Sequence, residues 1–270
     1  AWINDKLGGD MENIKICGNY MKDCFRGMGV QKADFVWASD IISDRKYWEI
    51  VLKTAKCTSL ARIKRSMTIM GREEGEAEMD SSKFLYPLMQ VADIFYLGVD
   101  LAYGGMDQRK AHMLAREVAD RYKWKKVVAL HTPLLPGLKG GERMDPIEAK
   151  MSKSKPDTCI FLHDDPKEIE RKIKKAFCPE RIISANPIIG IAKNIIFEEN
   201  EKIIIEREKK HGGDVELRSY SELERIYEDG ALHPMDLKNS VARYLVSSIE
   251  PIRKYLEKSE NFKRMREIIG

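Results

Sequence analysis

Between Leu85 and His131 the chain alternates helix, strand, helix and strand, and no other stretch limits the fold so tightly. In Leu85–Gly98 the apolar residues Leu85, Leu88, Met89, Val91, Ala92, Ile94, Phe95 and Leu97 run almost all the way round, which predicts a buried helix. Val99–Tyr103 is a short apolar segment closed by Gly104-Gly105. A helix follows at once from Met106 to about Tyr122, with Ala111, Leu114, Ala115, Val118 and Tyr122 as its core stripe, and Lys126–His131 reads as a strand. This rhythm implies an α/β layered fold with a parallel sheet.

The same stretch carries candidate binding residues. Tyr86, Gln90 and Asp93 recur at i, i+4 and i+7, on one face of an otherwise apolar helix. A buried polar row needs hydrogen-bond partners, at a cost of about 1–3 kcal/mol for each group left without one. Neighbouring backbone would serve a lone polar residue; three aligned ones, one of them an acid, point to a polar ligand. Gly104-Gly105 at a strand-to-helix junction lets a ligand approach the backbone, and the helix N-terminus after it favours anions, although a glycine pair is more often only a turn. Asp107 is placed to accept from ribose hydroxyls, and Gln108 both donates and accepts.

A second constellation is Lys150-Met151-Ser152-Lys153-Ser154. Gly137, Gly140 and Gly141 precede it, and Lys155-Pro156-Asp157 after it cannot continue a helix. Two ammonium groups and two hydroxyls in such a loop suit a polyphosphate, whereas an arbitrary pair of lysines at this spacing is usually a solvated loop.

Elsewhere, Met11–Met28 has helical periodicity and Gly29 ends it. Phe35-Val36-Trp37 reads as a short strand. Asp44 caps a helical region expected to run to about Gly71, with Tyr47, Val51, Leu52, Ala55, Leu60, Ile63 and Met67 as its buried stripe. Arg62, Lys64 and Arg65 could meet phosphates there, or form a solvated face. Glu73–Ser82 is loop-like and Ile160–Leu162 is a candidate strand. Asp165-Pro166-Lys167-Glu168 is a helix start with an acidic N-cap, proline at N1 and glutamate at N3. Helices are then expected over Ile169–Phe177, Pro187–Phe197, Ser221–Tyr227 and Asp236–Leu256, with Ile203–Ile205 an isolated strand in a solvated Glu198–Lys210 connection. The division falls near Leu162–Asp165, giving domains 1–163 and 164–270.

With 270 residues, 43% hydrophobic and 33% charged, the chain has a globular balance and not a disordered one. The five cysteines form no C-x-x-C pair, so a disulfide framework or zinc site is not expected and a reducing cytoplasm is. Net charge +4 permits a local nucleic-acid patch without requiring one.

Four segments together resemble the tyrosyl-tRNA synthetases of the archaeal and eukaryotic branch. They are Tyr86-Pro87-Leu88-Met89-Gln90-Val91-Ala92-Asp93, Gly104-Gly105-Met106-Asp107-Gln108-Arg109-Lys110, the pentapeptide Lys150–Ser154, and Leu232-His233-Pro234-Met235-Asp236-Leu237-Lys238-Asn239. The pentapeptide matches the KMSKS signature of all class I aminoacyl-tRNA synthetases; the first and last segments are specific to the branch. The resemblance implies a Rossmann-like parallel-sheet catalytic domain followed by an all-helical anticodon-binding domain. It implies ATP-dependent attachment of tyrosine to tRNA(Tyr) through tyrosyl-adenylate, with ATP and Mg²⁺ as a substrate complex and no tightly bound cofactor or resident metal. The partners would be tRNA(Tyr), L-tyrosine and ATP in a cytoplasmic homodimer, dimerising through the Asp44–Gly71 region and beyond, with no membrane or DNA partner.

By the same resemblance, Tyr86, Gln90 and Gln108 hold the amino side of tyrosine and Asp93 accepts its phenolic hydroxyl. Gly104, Gly105 and Asp107 belong to the ATP site with Met151 and Lys153, while Lys150, Lys153 and Ser152 act on the leaving pyrophosphate. Arg65 and Arg109 contact the acceptor end of tRNA. His233 stacks on the anticodon and Asp236 hydrogen-bonds it, while His211 occupies a place that usually holds a larger aromatic ring. The family's His-x-Gly-His motif and its first-strand tyrosine are absent from this sequence. The catalytic domain is therefore expected to be N-terminally incomplete, and this chain alone inactive. The alternatives are a catalytically incomplete tRNA-binding fragment, a tryptophanyl-tRNA synthetase, which Asp93 and the Leu232–Asn239 segment argue against, or a scaffold kept for interactions alone.

Overall fold

The structure, a computed structural model, describes residues 6–67, 81–140, 151 and 156–269. It comprises two compact units: Ala1–Gly18 with Lys32–Leu134, and Asn19–Gln31 with Leu135–Gly270.

In the first unit, helix α1 (Met11–Gly27) runs on into the second unit after Gly18. Phe35–Trp37 forms no strand ladder among the described residues. Trp37 instead precedes the short helix α2 (Ala38–Ile41), and its ring lies where a side chain on Gly18 would be, 2.5 Å from a Cβ built there. Asp44 caps α3 (Arg45–Lys56) by accepting from the Lys46 amide. The expected long helix breaks at Cys57–Ser59, where Ser59 accepts from the Arg62 amide and starts α4 (Leu60–Ser66). A second Ncap satisfies the new helix's orphan amides, so the break costs little. Tyr47, Val51, Ile63 and Met67 are buried as the stripe predicts, but Leu52 and Leu60 are exposed.

Helix α5 (Ser82–Tyr96) packs on α3 through Leu88 and Ala92 and on the sheet side through Val91 and Ile94. Its two core-facing sides explain its nearly continuous apolar surface, although Leu85 and Leu97 remain exposed. Strands β1 (Leu101–Gly105) and β2 (Val128–Thr132) pair in parallel, Leu101 opposite Val128 and Gly104 opposite His131. The crossover is a 3₁₀ turn, Met106–Gln108, and α6 (Arg109–Tyr122), whose buried Leu114, Ala115 and Val118 face Ala102 and Val127. Each large apolar side chain so buried contributes about 1.5–3 kcal/mol. This strand–helix–strand order is the expected parallel α/β arrangement.

In the second unit Ile160–Leu162 is a turn, not a strand: the Asp164 carboxylate accepts from the Phe161 amide, and the Asp164 amide donates to the Phe161 carbonyl. Asp165 caps α7 (Pro166–Lys175) through the Glu168 amide. Helix α8 (Pro187–Ile191) continues through a π-helical segment, Ala192–Ile196, into α9 (Phe197–Glu199). Ile203–Ile205 is not isolated. As β3 it pairs antiparallel with β4 (Val215–Leu217), and Ile203 and Ile205 are buried. Helices α10 (Tyr220–Glu228), α11 (Pro234–Leu256) and α12 (Glu260–Ile269) complete the unit. Its core joins Ile169 and Ile173 to Ile188, Ile205, Leu223, Leu237 and Val241. No described helix is long and apolar enough to cross a membrane.

Candidate functional site

The polar face of α5 is the centre of the candidate site in the first unit. Pro87, Leu88, Val91 and Ala92 are buried, and the resulting anchorage turns Tyr86, Gln90 and Asp93 to a half-buried face. Burial pushes the Asp93 carboxyl above the ordinary carboxylate range, opposed by a hydrogen bond from Tyr47. That bond runs 2.8 Å from the Tyr47 hydroxyl to Asp93 Oδ1, and the same hydroxyl lies 3.2 Å from the Met89 carbonyl. The Tyr86 phenol is raised by burial first and then by the charges of Asp93 and Asp107. All three groups therefore share one electrostatic neighbourhood.

Gln90 reaches the 3₁₀ turn that leads into α6: its amide nitrogen donates to Gln108 Oε1 at 2.8 Å. This leaves the Gln90 carbonyl oxygen buried and without a donor among the described residues. A ligand N–H, above all an ammonium group, would supply that donor. Gly104 makes the approach of Gln108 possible, since a Cβ there would sit 3.1 Å from Gln108 Cγ. At Gly105 a Cβ would meet the Asp107 carboxylate at 2.7 Å and Leu134 at 3.1 Å. The strand end and first helical turn thus close up in a way a β-carbon would obstruct.

Two participants were not among the candidates read from the sequence. Tyr47 was assigned only to a core stripe, and its fully buried ring gives no hint of where the hydroxyl goes. His112 is buried one turn after Gln108, and its Nδ1 shares a hydrogen with His131 Nε2 at 3.0 Å. Burial holds the His112 pKa below the ordinary range, with the neighbouring His131 second. The i, i+4 spacing of Gln108 and His112 was the available signal.

Arg65 and Arg109 are exposed, at the end of α4 and the start of α6. The guanidinium of Arg62 makes a bidentate pair with Glu117 (3.0 and 2.9 Å) and donates to the Lys110 carbonyl. In the second unit, Met151 donates its amide to the Leu135 carbonyl and packs on the core. Lys150, Ser152, Lys153 and Ser154 lie outside the described residues. His233 is the N-cap of α11, its Nδ1 accepting from the Met235 amide at 3.1 Å while the ring stays exposed. Asp236 is half-buried in the first turn of α11, and His211 is exposed in a 3₁₀ turn ending at left-handed Gly212. Among the described residues no cluster of His, Cys, Asp or Glu is placed to hold a metal ion.

Residues 8–249 match the family of class I tRNA synthetases for tryptophan and tyrosine. The tyrosine--tRNA ligase of Sulfurisphaera tokodaii is 52% identical over 272 residues, spanning 97% of this chain and 75% of that protein. That of Saccharolobus solfataricus is 53% identical over 277 residues, spanning 98% and 76%. Among solved structures, tyrosyl-tRNA synthetase from Pyrococcus horikoshii, complexed with L-tyrosine, matches with a TM-score of 0.89 and 44% identity over 98% of this chain and 79% of that one.

Proposed function

The chain belongs to the class I tRNA synthetases, among the tyrosine--tRNA ligases, and on that footing we propose that it works through a tyrosyl-adenylate. A carboxylate oxygen of tyrosine attacks the α-phosphorus of ATP, the bond to pyrophosphate breaks, and the adenylate forms. A ribose hydroxyl at the end of tRNA(Tyr) then attacks the tyrosyl carbonyl and AMP leaves. Neither step needs a protein nucleophile, so rate comes from positioning and from stabilising the charge that builds on the leaving group.

The observation that carries this reading is the α5 face joined to α6. The buried Gln90 oxygen without a donor meets the amino group of tyrosine, with Tyr86 and Gln108 beside it. Asp93 takes the phenolic hydroxyl. A site that accepts a hydroxyl leaves its acceptor unpaired when phenylalanine enters, and so rejects it. The Pyrococcus horikoshii relative is held with L-tyrosine, in keeping with this assignment. Gly104, Gly105 and Asp107 line the ribose side of ATP, and Met151 packs against its adenine side. Lys150 and Lys153, with Ser152, neutralise the pyrophosphate together with the Mg²⁺ that ATP brings.

Arg65 and Arg109 meet the acceptor end of tRNA, whereas His233, Asp236 and His211 meet the anticodon of unpaired bases, where a ring face and a base-edge acceptor are useful. Domains 1–163 and 164–270 divide this labour, and the working enzyme is a homodimer. The test is tyrosine-dependent ATP–pyrophosphate exchange in a catalytic domain completed with the family's His-x-Gly-His segment. Lys153→Ala is expected to slow it by roughly tenfold or more; an unchanged rate removes Lys153 from the role. Exchange supported by tryptophan and not tyrosine overturns the substrate.

A further inference from the structure

We infer that Tyr47 is a positioning residue for amino-acid selection, holding Asp93 so that it discriminates tyrosine from phenylalanine; this rests on the reading that Asp93 meets the substrate phenol. Tyr47 has no exposed surface, and its ring is walled by Val51, Ile63, Leu88 and Ala92. Tyr96 and Trp48 pack edge-on against it at 5.6 and 6.0 Å. A ring so enclosed holds its hydroxyl between two acceptors, Asp93 Oδ1 at 2.8 Å and the Met89 carbonyl at 3.2 Å, and the shorter bond to a carboxylate is the stronger. An ionised carboxylate only accepts, so Tyr47 must donate.

A second tyrosine–aspartate bond runs the opposite way between the same helices, from Tyr96 on α5 to Asp44 Oδ2 at 2.8 Å. The two differ in a way that separates structure from function. Asp44 is spent on capping α3 through the Lys46 amide, and its carboxyl is held below the ordinary range by that amide and by Tyr96. Asp93 caps nothing, is desolvated, and is raised by burial. Two aligned helices would be tied as well by the Tyr96–Asp44 bond alone. Tyr47 adds an anchor to one oxygen of a carboxyl on the candidate pocket's face.

That anchor matters because rejection of phenylalanine depends on Asp93 having no escape. With Oδ1 held, the carboxylate presents Oδ2 to the ligand and cannot rotate to another donor when the ligand has no hydroxyl. Without the anchor, the side chain is free to turn or take a proton, and the penalty against phenylalanine shrinks. Tyr47 also opposes the effect of burial on Asp93, keeping it the acceptor that a phenolic O–H requires. Among the described residues Tyr86, on the same helix, is a further titratable group near Asp93, and the Asp93 charge itself perturbs it.

In a catalytic domain completed with the family's His-x-Gly-His segment, the experiment compares the parent, Tyr47→Phe and Asp93→Asn in ATP–pyrophosphate exchange with tyrosine and with phenylalanine, alongside ¹³C NMR titration of the Asp93 carboxyl. Tyr47→Phe keeps the buried ring and is expected to lower the tyrosine/phenylalanine ratio of kcat/KM by about tenfold. The change should lie in KM for tyrosine and in a faster reaction with phenylalanine. In the titration, losing the donor should move Asp93 further up. A lowered ratio in Asp93→Asn with an unchanged one in Tyr47→Phe overturns the role of Tyr47 and leaves the pocket reading intact. An unchanged ratio in Asp93→Asn overturns the pocket reading itself. An Asp93 titration that Tyr47→Phe does not move overturns the anchor, whatever exchange shows.

Discussion

Lys172→Met isolates the cost of a buried charge left without its partner, in the segment that follows the lysine loop. Lys172 Nζ lies 2.7 Å from Asp164 Oδ2, with the two side chains 4% and 7% exposed. The same oxygen accepts from the Phe161 amide at 2.9 Å, and Nζ lies 4.8 Å from the centre of the Phe161 ring. With an effective dielectric constant of about 20, the attraction at that separation is about 6 kcal/mol, and it offsets the desolvation of both ions. Methionine fills the volume but removes the attraction, while the desolvation of Asp164 remains. The expected loss is about 3–5 kcal/mol, and Glu168, 3.7 Å from the ammonium, loses an attractive contact as well. Urea denaturation followed by circular dichroism measures it, with the transition midpoint as readout. Adding Asp164→Asn removes the orphaned charge yet keeps an acceptor for the Phe161 amide, so the double variant should recover all but about 1–2 kcal/mol. A loss under about 1 kcal/mol in Lys172→Met, or a double variant no better than the single one, refutes the reasoning.

Gly105→Ala places a β-carbon 2.7 Å from the Asp107 carboxylate; it should raise KM for ATP about fivefold or more while moving KM for tyrosine less than about twofold, as steady-state exchange in the completed catalytic domain will show. Burial lowers the His112 pKa, with His131 second, so the folded chain resists a proton that the unfolded chain accepts once pH falls through the ordinary value of 6.5. His112→Gln should therefore be less stable than the parent at pH 7.5 in thermal melts, and the gap should narrow as pH falls through that value toward 5; a gap independent of pH contradicts a neutral His112.

What could be read from the sequence, and what could not, divides along one physical line. Periodicity and caps are local. Asp44, Asp165 and the apolar turns of α5 and α6 were legible because each is settled by residues within about a turn of one another. The helix break at Ser59 was local too, and a serine before Leu60 was its signal, masked by a stripe that kept its phase across the break. Strand pairing is not local. Phe35–Trp37 and Ile160–Leu162 have strand composition but form no strand ladder among the described residues, while Val215–Leu217, without a strong strand pattern, pairs with Ile203–Ile205. The candidate site follows the same line. Tyr86, Gln90 and Asp93 declare themselves because a polar row interrupts an apolar helix. Tyr47 obeys the pattern perfectly as a core residue, and its hydroxyl becomes chemically informative only once α3 lies against α5 and places it on Asp93, 46 residues on. A stripe reports that a face is buried and nothing of what lies across from it. Buried tyrosines and histidines are thus the residues most easily assigned to the core and forgotten, since their apolar bodies satisfy the pattern while their polar atoms await a partner that only the fold supplies.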